Sequence, residues 1–358
     1  MHGNKSWFAL LPLLTCFTGS GDALAADKLT AEQMASIQAP LQAARDLAGD
    51  DPSLRQIQGL QCHEPGADGR PLTTASFDET ADVPPTRIFD NLYYIGNSGT
   101  GSFVVTTSDG YIMVDSGYGN GPETLIVPGM EALGLDPAQV KYILITHPGP
   151  DHLGGARYFQ ETYGTKVVMT ASNWENVLNA PADSWINSHL PGRESYKFWV
   201  GPPALSVTAK DGDTLTLGDT TVTMVETPRI PGSGALSFIL PVKDNGEPHM
   251  WATYGATGAP PTLEGKMLYQ QSIRHMLEAM ERLQVDTIIS NHPFVDGSVT
   301  RMAALAGRKP GEPNPFVIGT EQAQRYVAIL GKCAEVWVAR NAANLDDLGL
   351  PVQPQIKP

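Results

Sequence analysis

The feature that most constrains this chain is a succession of short apolar runs beginning at Arg87 and broken by Gly, Ser and Asp. Leu92-Tyr93-Tyr94-Ile95, Phe103-Val104-Val105 and Tyr111-Ile112-Met113-Val114 follow one another closely, the pattern of consecutive strands joined by tight turns. A helix over Glu123–Leu133, a buried strand Tyr142–Ile145, a helix beginning near Leu153 and a strand Val167–Met169 come next, which is βαβ arithmetic. The pattern then repeats. Strands are predicted at Thr214–Leu217, Thr221–Val225, Leu236–Leu240 and Met250–Ala252, followed by a helix over Gly265–Leu283 and a buried strand Val285–Ser290. A last helix over Thr320–Ala339 places Ala323, Tyr326, Val327, Leu330, Ala334 and Trp337 at helical spacing, a core face. Residues 26–80 read as a packed extension with one helical pattern around Leu29–Leu47, and residues 181–203, rich in Pro, Gly and aromatics, read as a long ordered loop.

Charge and the chain's first residues narrow the class. With 24 Lys+Arg against 38 Asp+Glu the formal charge is −14, which disfavours a nucleic-acid or anionic-membrane partner and leaves small molecules as the default. Lys5, the apolar run Trp7–Phe17 and Ala23-Leu24-Ala25 have the layout of an export signal cleaved after Ala25, so a periplasmic or secreted protein is expected. A lipid-attachment reading through Leu13-Leu14-Thr15-Cys16 is disfavoured by Thr15. Maturation would leave Cys62 and Cys333, which either pair in an oxidising compartment or stay as two buried thiols.

The chemistry concentrates at Thr146-His147-Pro148-Gly149-Pro150-Asp151-His152-Leu153, where a buried strand ends and a helix begins. Side chains at a strand terminus enter a crevice, and a turn lets Asp151 and His152 converge on one metal. A second buried strand ends in Asn291-His292-Pro293, which supplies a distant imidazole in the same context. Two imidazoles and one carboxylate with an open position suit catalytic zinc and also non-haem iron. Pro148 and Pro150 hold the residues before them out of the helical region. His63, His249 and His275 read as ordinary structural or surface histidines, and no Gly-x-Ser-x-Gly elbow is present.

These segments resemble the metallo-β-lactamase superfamily, from about Arg87 to His292 and on to about Ala339. Its early Val-Asp-Ser-Gly is matched by Val114-Asp115-Ser116-Gly117, its Leu-Gly-Asp by Leu217-Gly218-Asp219, its Thr-Pro…Pro-Gly-Ser by Thr227-Pro228 and Pro231-Gly232-Ser233, and its late Asn-His by Asn291-His292. The resemblance implies an α/β fold, a four-layer αββα sandwich over residues 87–340, with a signal peptide at 1–25, an extension at 26–86 and a tail at 341–358. Against the family's His-x-His-x-Asp-His, His147, Asp151 and His152 match, whereas Gly149 stands in place of the second histidine. The family's third histidine, between Thr-Pro and Pro-Gly-Ser, is replaced by Arg229-Ile230.

The resemblance therefore implies one metal per chain, zinc with iron as the alternative, held by Asp151, His152 and His292. Asp151 is assigned to catalysis with His147, which is either a general base or water-orienting group beside the metal or a leftover ligand hydrogen-bonded to a neighbour; Asp115 either orients a ligand or is a turn or cap aspartate. Arg229 is either a fixed cation that binds a substrate carboxylate or one end of a surface salt bridge. Trp185, Tyr196 and Trp199, with His189 and Phe198, either wall an apolar pocket or form the loop's own core. The expected function is hydrolysis of a small ester, lactone or amide-like substrate, β-lactams included, by water bound to a single metal, with His147 assisting proton transfer. The rivals are a metal-dependent lyase or isomerase and a non-catalytic binding protein with a decayed site.

Overall fold

A computed structural model describes residues 29–180 and 200–352. Seven strands form one sheet in sequence order: β1 (Asp82–Phe89), β2 (Leu92–Asn97), β3 (Gly101–Thr107), β4 (Gly110–Val114), β5 (Val140–Leu144), β6 (Lys166–Thr170) and β7 (Val207–Ala209). Pairing is antiparallel from β1 to β4 and parallel from β4 to β7. The second sheet has the order β12-β11-β10-β9-β8, built from β8 (Thr214–Leu217), β9 (Thr220–Glu226), β10 (Leu236–Asp244), β11 (Glu247–Thr253) and β12 (Thr287–Ile288). Only β11 and β12 are parallel in it.

The alternation of side chains along each strand creates the layers. Phe103, Val105, Ile112 and Val114 from the first sheet meet Leu236, Phe238, Leu240 and Trp251 from the second in one central core, where Phe103 and Trp251 bring their rings within 4.9 Å of each other. Val104, Met113, Val167 and Met169 point to the opposite face of the first sheet. There they are covered by α3 (Val127–Ala132), α5 (Ala156–Tyr163) and α6 (Ala171–Leu178). Ile239 and Ala252 point outward from the second sheet, under α1 (Ala31–Ala48), α2 (Pro52–Gln61), α7 (Leu263–Arg282) and α10 (Thr320–Ala342). Both sheets are thus covered on both faces, which is why their strands read as nearly continuous apolar runs. The result is the four-layer αββα sandwich.

Several elements depart from the sequence reading. The sheet opens at Asp82, inside the segment read as an extension; Pro84 and Pro85 hide this strand, and it is tolerated because β1 lies at the sheet edge. The extension carries two helices, because Asp51 caps a new one at Leu54 N–H and Pro52 opens it. Val285–Ser290 shortens to Thr287–Ile288, and the helix expected near Leu153 divides into α4 (Pro150–Leu153) and α5. The predicted face of α10 is buried throughout. Cys62 and Cys333 form a disulfide across 271 residues, and Trp337 Nε1 donates to Gln61 O at 2.8 Å beside it. The extension is therefore fastened to the main body and reaches the site from both its helix and its loop: Gln56 of α2 donates to Phe294 O, and Phe77 lies 5.7 Å from Phe294 between ring centroids. Most of the loop at 181–203, including Trp185, His189, Tyr196, Phe198 and Trp199, lies outside the described residues. Among the described residues no helix is long and apolar enough to cross a membrane.

Candidate metal centre

The centre is assembled where three strand ends meet. After β4 the chain takes a left-handed turn at Asp115 (φ 58°), a conformation that aspartate tolerates better than most residues. This aims a fully buried carboxylate beneath the β5–α4 turn. Asp115 Oδ1 accepts from Thr146 N–H at 2.8 Å, and Oδ2 accepts from His152 Nδ1 at 2.8 Å and Asn291 Nδ2 at 3.0 Å. Burial alone would raise the Asp115 pKa, but the charge of His152 and these donors hold it below its usual value.

The next turn presents the ligand residues. Gly149 precedes Pro150 in extended backbone (ψ 139°), and Pro150 then starts α4, so Asp151 and His152 leave the first helical turn together. His152 Nε2 lies 3.0 Å from Asp151 Oδ2 and 3.2 Å from His292 Nε2, and His292 Nε2 lies 3.7 Å from the same carboxylate oxygen. His292 arrives from the end of β12, its Nδ1 donating to Gly99 O at 2.7 Å. The ligand atoms of Asp151, His152 and His292 all fall within 4.8 Å of one another. Two zinc-bound atoms in a tetrahedral site stand about 3.3 Å apart, given zinc–nitrogen bonds near 2.05 Å. The observed separations bracket that figure.

The tautomers fit a cation as well. Both histidines commit Nδ1 to an outer acceptor, which turns their Nε2 atoms toward each other and toward Asp151. Two imidazole lone pairs facing at 3.2 Å need a positive charge between them. Without metal that charge is a proton: burial opposes it, but Asp151 and Asp115 raise His152 to about 10. Burial and the positive His152 lower His292, which stays neutral as acceptor. Burial would raise Asp151, yet His152 and His292 hold it far below the carboxylate range.

His147 stands beside this cluster rather than within it. Its ring centroid is 4.1 Å from that of His152, and its Nδ1 lies 2.9 Å from Gly255 O, so Nδ1–H donates there and Nε2 keeps its lone pair. Burial, reinforced by His152, lowers its pKa to about 3. Gly149 closes the gap between them. A Cβ there would lie 2.7 Å from Asp151 Oδ1, 3.0 Å from His152 Cδ2 and 3.2 Å from His147 Nε2. A side chain at this position would press on the Asp151 carboxylate and on both neighbouring rings, which would have to give way.

Around the centre the cleft has two lobes that share Asp151 and His292. One, of about 580 Å³, is lined by His147, Pro148, Arg229, Ser233, Ala256 and others; the other, of about 520 Å³, includes Asn97, Gly99, Thr100, Tyr118 and Glu79. Arg229 is half-buried and, among the described residues, has no ion-pair partner, so it is not one end of a surface salt bridge there. Glu79 was not legible in the sequence: it belongs to the extension's loop, and only the folded chain brings it here. Partial burial and the charge of Asp151 raise its pKa. Among the described residues the other histidines have structural partners: His63 with Leu72 O, His249 with Asp286 and His275 with Asp211.

The sequence profile of the Metallo-beta-lactamase superfamily matches residues 96–242. Among solved structures, BJP-1, a subclass B3 metallo-β-lactamase of Bradyrhizobium japonicum, is 27% identical with a TM-score of 0.56, covering 72% of this chain and 94% of its own. A Cronobacter sakazakii metallo-β-lactamase with a HARLDQ motif is 29% identical with a TM-score of 0.55, covering 70% and 92%. FEZ-1 from Legionella gormanii, at 22% identity and a TM-score of 0.59 over 70% and 94%, shares the fold.

Residues 96–242 thus carry the metallo-β-lactamase superfamily pattern, on the fold of its solved members. That match supports a metal-dependent hydrolase, and Asp151, His152 and His292 form a candidate site for its metal. The HARLDQ motif of the Cronobacter protein, set beside HPGPDH at 147–152, also lacks the second histidine, with arginine where this chain has Gly149.

Proposed function

We propose that the protein is an exported hydrolase of small ester, lactone or amide-like substrates, β-lactams among them, working with one zinc ion per chain. The observation that carries the single-metal reading is Gly149, where a Cβ would crowd the Asp151 carboxylate and no imidazole is supplied, together with Arg229-Ile230 where the family places its third histidine. Asp151, His152 and His292 would hold the ion. Zinc there supplies Lewis acidity at neutral pH, polarising the reacting carbonyl and activating water.

The chain's own residues do the rest. Asp115 fixes the His152 ring and balances its charge, and Asn291 in turn holds Asp115. Gly99 O and Gly255 O fix the other two rings. His147, neutral at any pH above about 3, accepts a hydrogen bond at Nε2 from the attacking water and aims it at the carbonyl. So weak a base orients the nucleophile without keeping its proton, which ends on the leaving group as the scissile bond breaks. Export is supported by the layout of residues 1–25 and is consistent with the Cys62–Cys333 disulfide, since oxidising compartments favour such pairs.

The test is hydrolysis of a panel of chromogenic esters, lactones and β-lactams before chelation, after chelation and after zinc return. Loss and recovery of turnover for one substrate class is expected. Turnover indifferent to chelation, or none on any panel member while a carbon acid is deprotonated, would overturn the hydrolase reading.

A further inference from the structure

The two lobes of the cleft differ in charge, and that difference bears on what the proposed hydrolase binds. Arg229 is the one cation lining its lobe among the described residues. A guanidinium carries five N–H donors in a planar fork, yet among the described residues only Nη1 of Arg229 meets an acceptor, Gly258 O at a long 3.5 Å. No carboxylate of the described residues pairs with it. Its charge is nonetheless felt at the centre: it helps to lower His147 and is itself influenced by Asp151. Ile230, Ala235, Ala256 and Pro261 line the same lobe, and apolar walls strengthen a charge-assisted hydrogen bond made there. A half-buried fork with unmet donors, beside the reacting centre, matches a carboxylate by shape and charge. The other lobe has no lysine or arginine among the described residues and is bounded by Glu79.

We infer that the cleft takes a carboxylate-bearing substrate, with the anion seated on Arg229 and the scissile group over Asp151, His152 and His292, and that Glu79 disfavours a second anion at the far end. This rests on the hydrolase reading and names its substrate class. The centre lies between the lobes, so a molecule anchored on Arg229 presents its neighbouring carbonyl to it in one direction only. Orientation follows from charge.

The test is calorimetric titration of the chelator-treated full chain with benzoate and with benzamide, which differ in charge and little in shape. Benzoate is expected to bind at least tenfold more tightly. R229M should abolish that preference and R229K should retain part of it, as a point charge without the fork. Thermal midpoints monitor folding, and if R229M does not fold, R229Q takes its place. Equal binding of the two probes by the native chain, or a preference that survives loss of the guanidinium, would overturn the inference. Terephthalate tests the far end at low ionic strength: the native chain should bind it several-fold more weakly than benzoate and E79Q should erase that gap, whereas no gap in the native chain would overturn the role given to Glu79. Because these affinities are read without metal, failure here leaves hydrolysis by the loaded protein untouched, and failure of the hydrolase test leaves these affinities standing.

Discussion

Replacing Gly149 with histidine restores the superfamily motif on paper and should damage the site in fact. The new Cβ would stand 2.7 Å from Asp151 Oδ1, about 0.7 Å inside ordinary contact at 3.4 Å, and would also press on His152 Cδ2 at 3.0 Å and His147 Nε2 at 3.2 Å. Backbone conformation offers no obstacle, since Gly149 has φ −60°; the conflict lies wholly with the ligands. Metal–ligand distances tolerate roughly ±0.2 Å, so an Asp151 carboxylate displaced by several tenths of an ångström no longer binds well. We expect G149H to lose at least tenfold in zinc affinity, about 1.4 kcal/mol, and G149A to lose a similar amount because both add the same Cβ. Competition against a chromogenic chelator measures the affinity, and elemental analysis after dialysis gives the stoichiometry. A G149H variant that takes up two zinc ions, or binds one more tightly than the native chain, would refute the reasoning and reveal a second metal position that this imidazole serves.

Two further outcomes follow from the electrostatics. Asp115→Asn replaces a buried carboxylate that accepts from Thr146, His152 and Asn291 with a group that must point an amide at one of those donors. It should cost about 1.5–3 kcal/mol of stability in urea unfolding and roughly 10–100-fold in zinc affinity; native-like values for both would exclude the assigned role. In the metal-free chain His152 is raised to about 10, so its contribution to stability is complete below the unfolded value near 6.5 and lost as pH rises through 10. Zinc must displace that proton, and calorimetry at pH 7 in buffers of different ionisation enthalpy should report about one proton released per zinc, with affinity rising on alkalinisation. Binding heats independent of buffer would contradict this.

The sheets were legible because strands buried on both faces leave long apolar runs, and Tyr111–Val114, Tyr142–Ile145 and Leu236–Leu240 all fall within observed strands or at their ends. β1 was obscured by its paired prolines, tolerable only at an edge, and edge position is a property of the whole sheet. The convergence of Asp151, His152 and His292 could be read from two strand ends followed by His-bearing turns, and Asp115 from its place after β4. Their outer partners could not. The carbonyls of Gly99 and Gly255 that orient His292 and His147 carry no side-chain signature, and Glu79 reaches the cleft only because the extension is tied to α10 and α8 (Pro293–Asp296) by contacts more than 200 residues apart in sequence. Arg229 could be noticed as a substitution, but its lack of an ionic partner among the described residues required the fold.

X-ray absorption at the zinc edge on the loaded protein, native and His292→Ala, addresses the centre most directly. One zinc per chain with two imidazoles and one carboxylate, and loss of one imidazole with most of the bound zinc in H292A, is the predicted result. Two zinc ions per chain, or a spectrum unchanged by H292A, would contradict it.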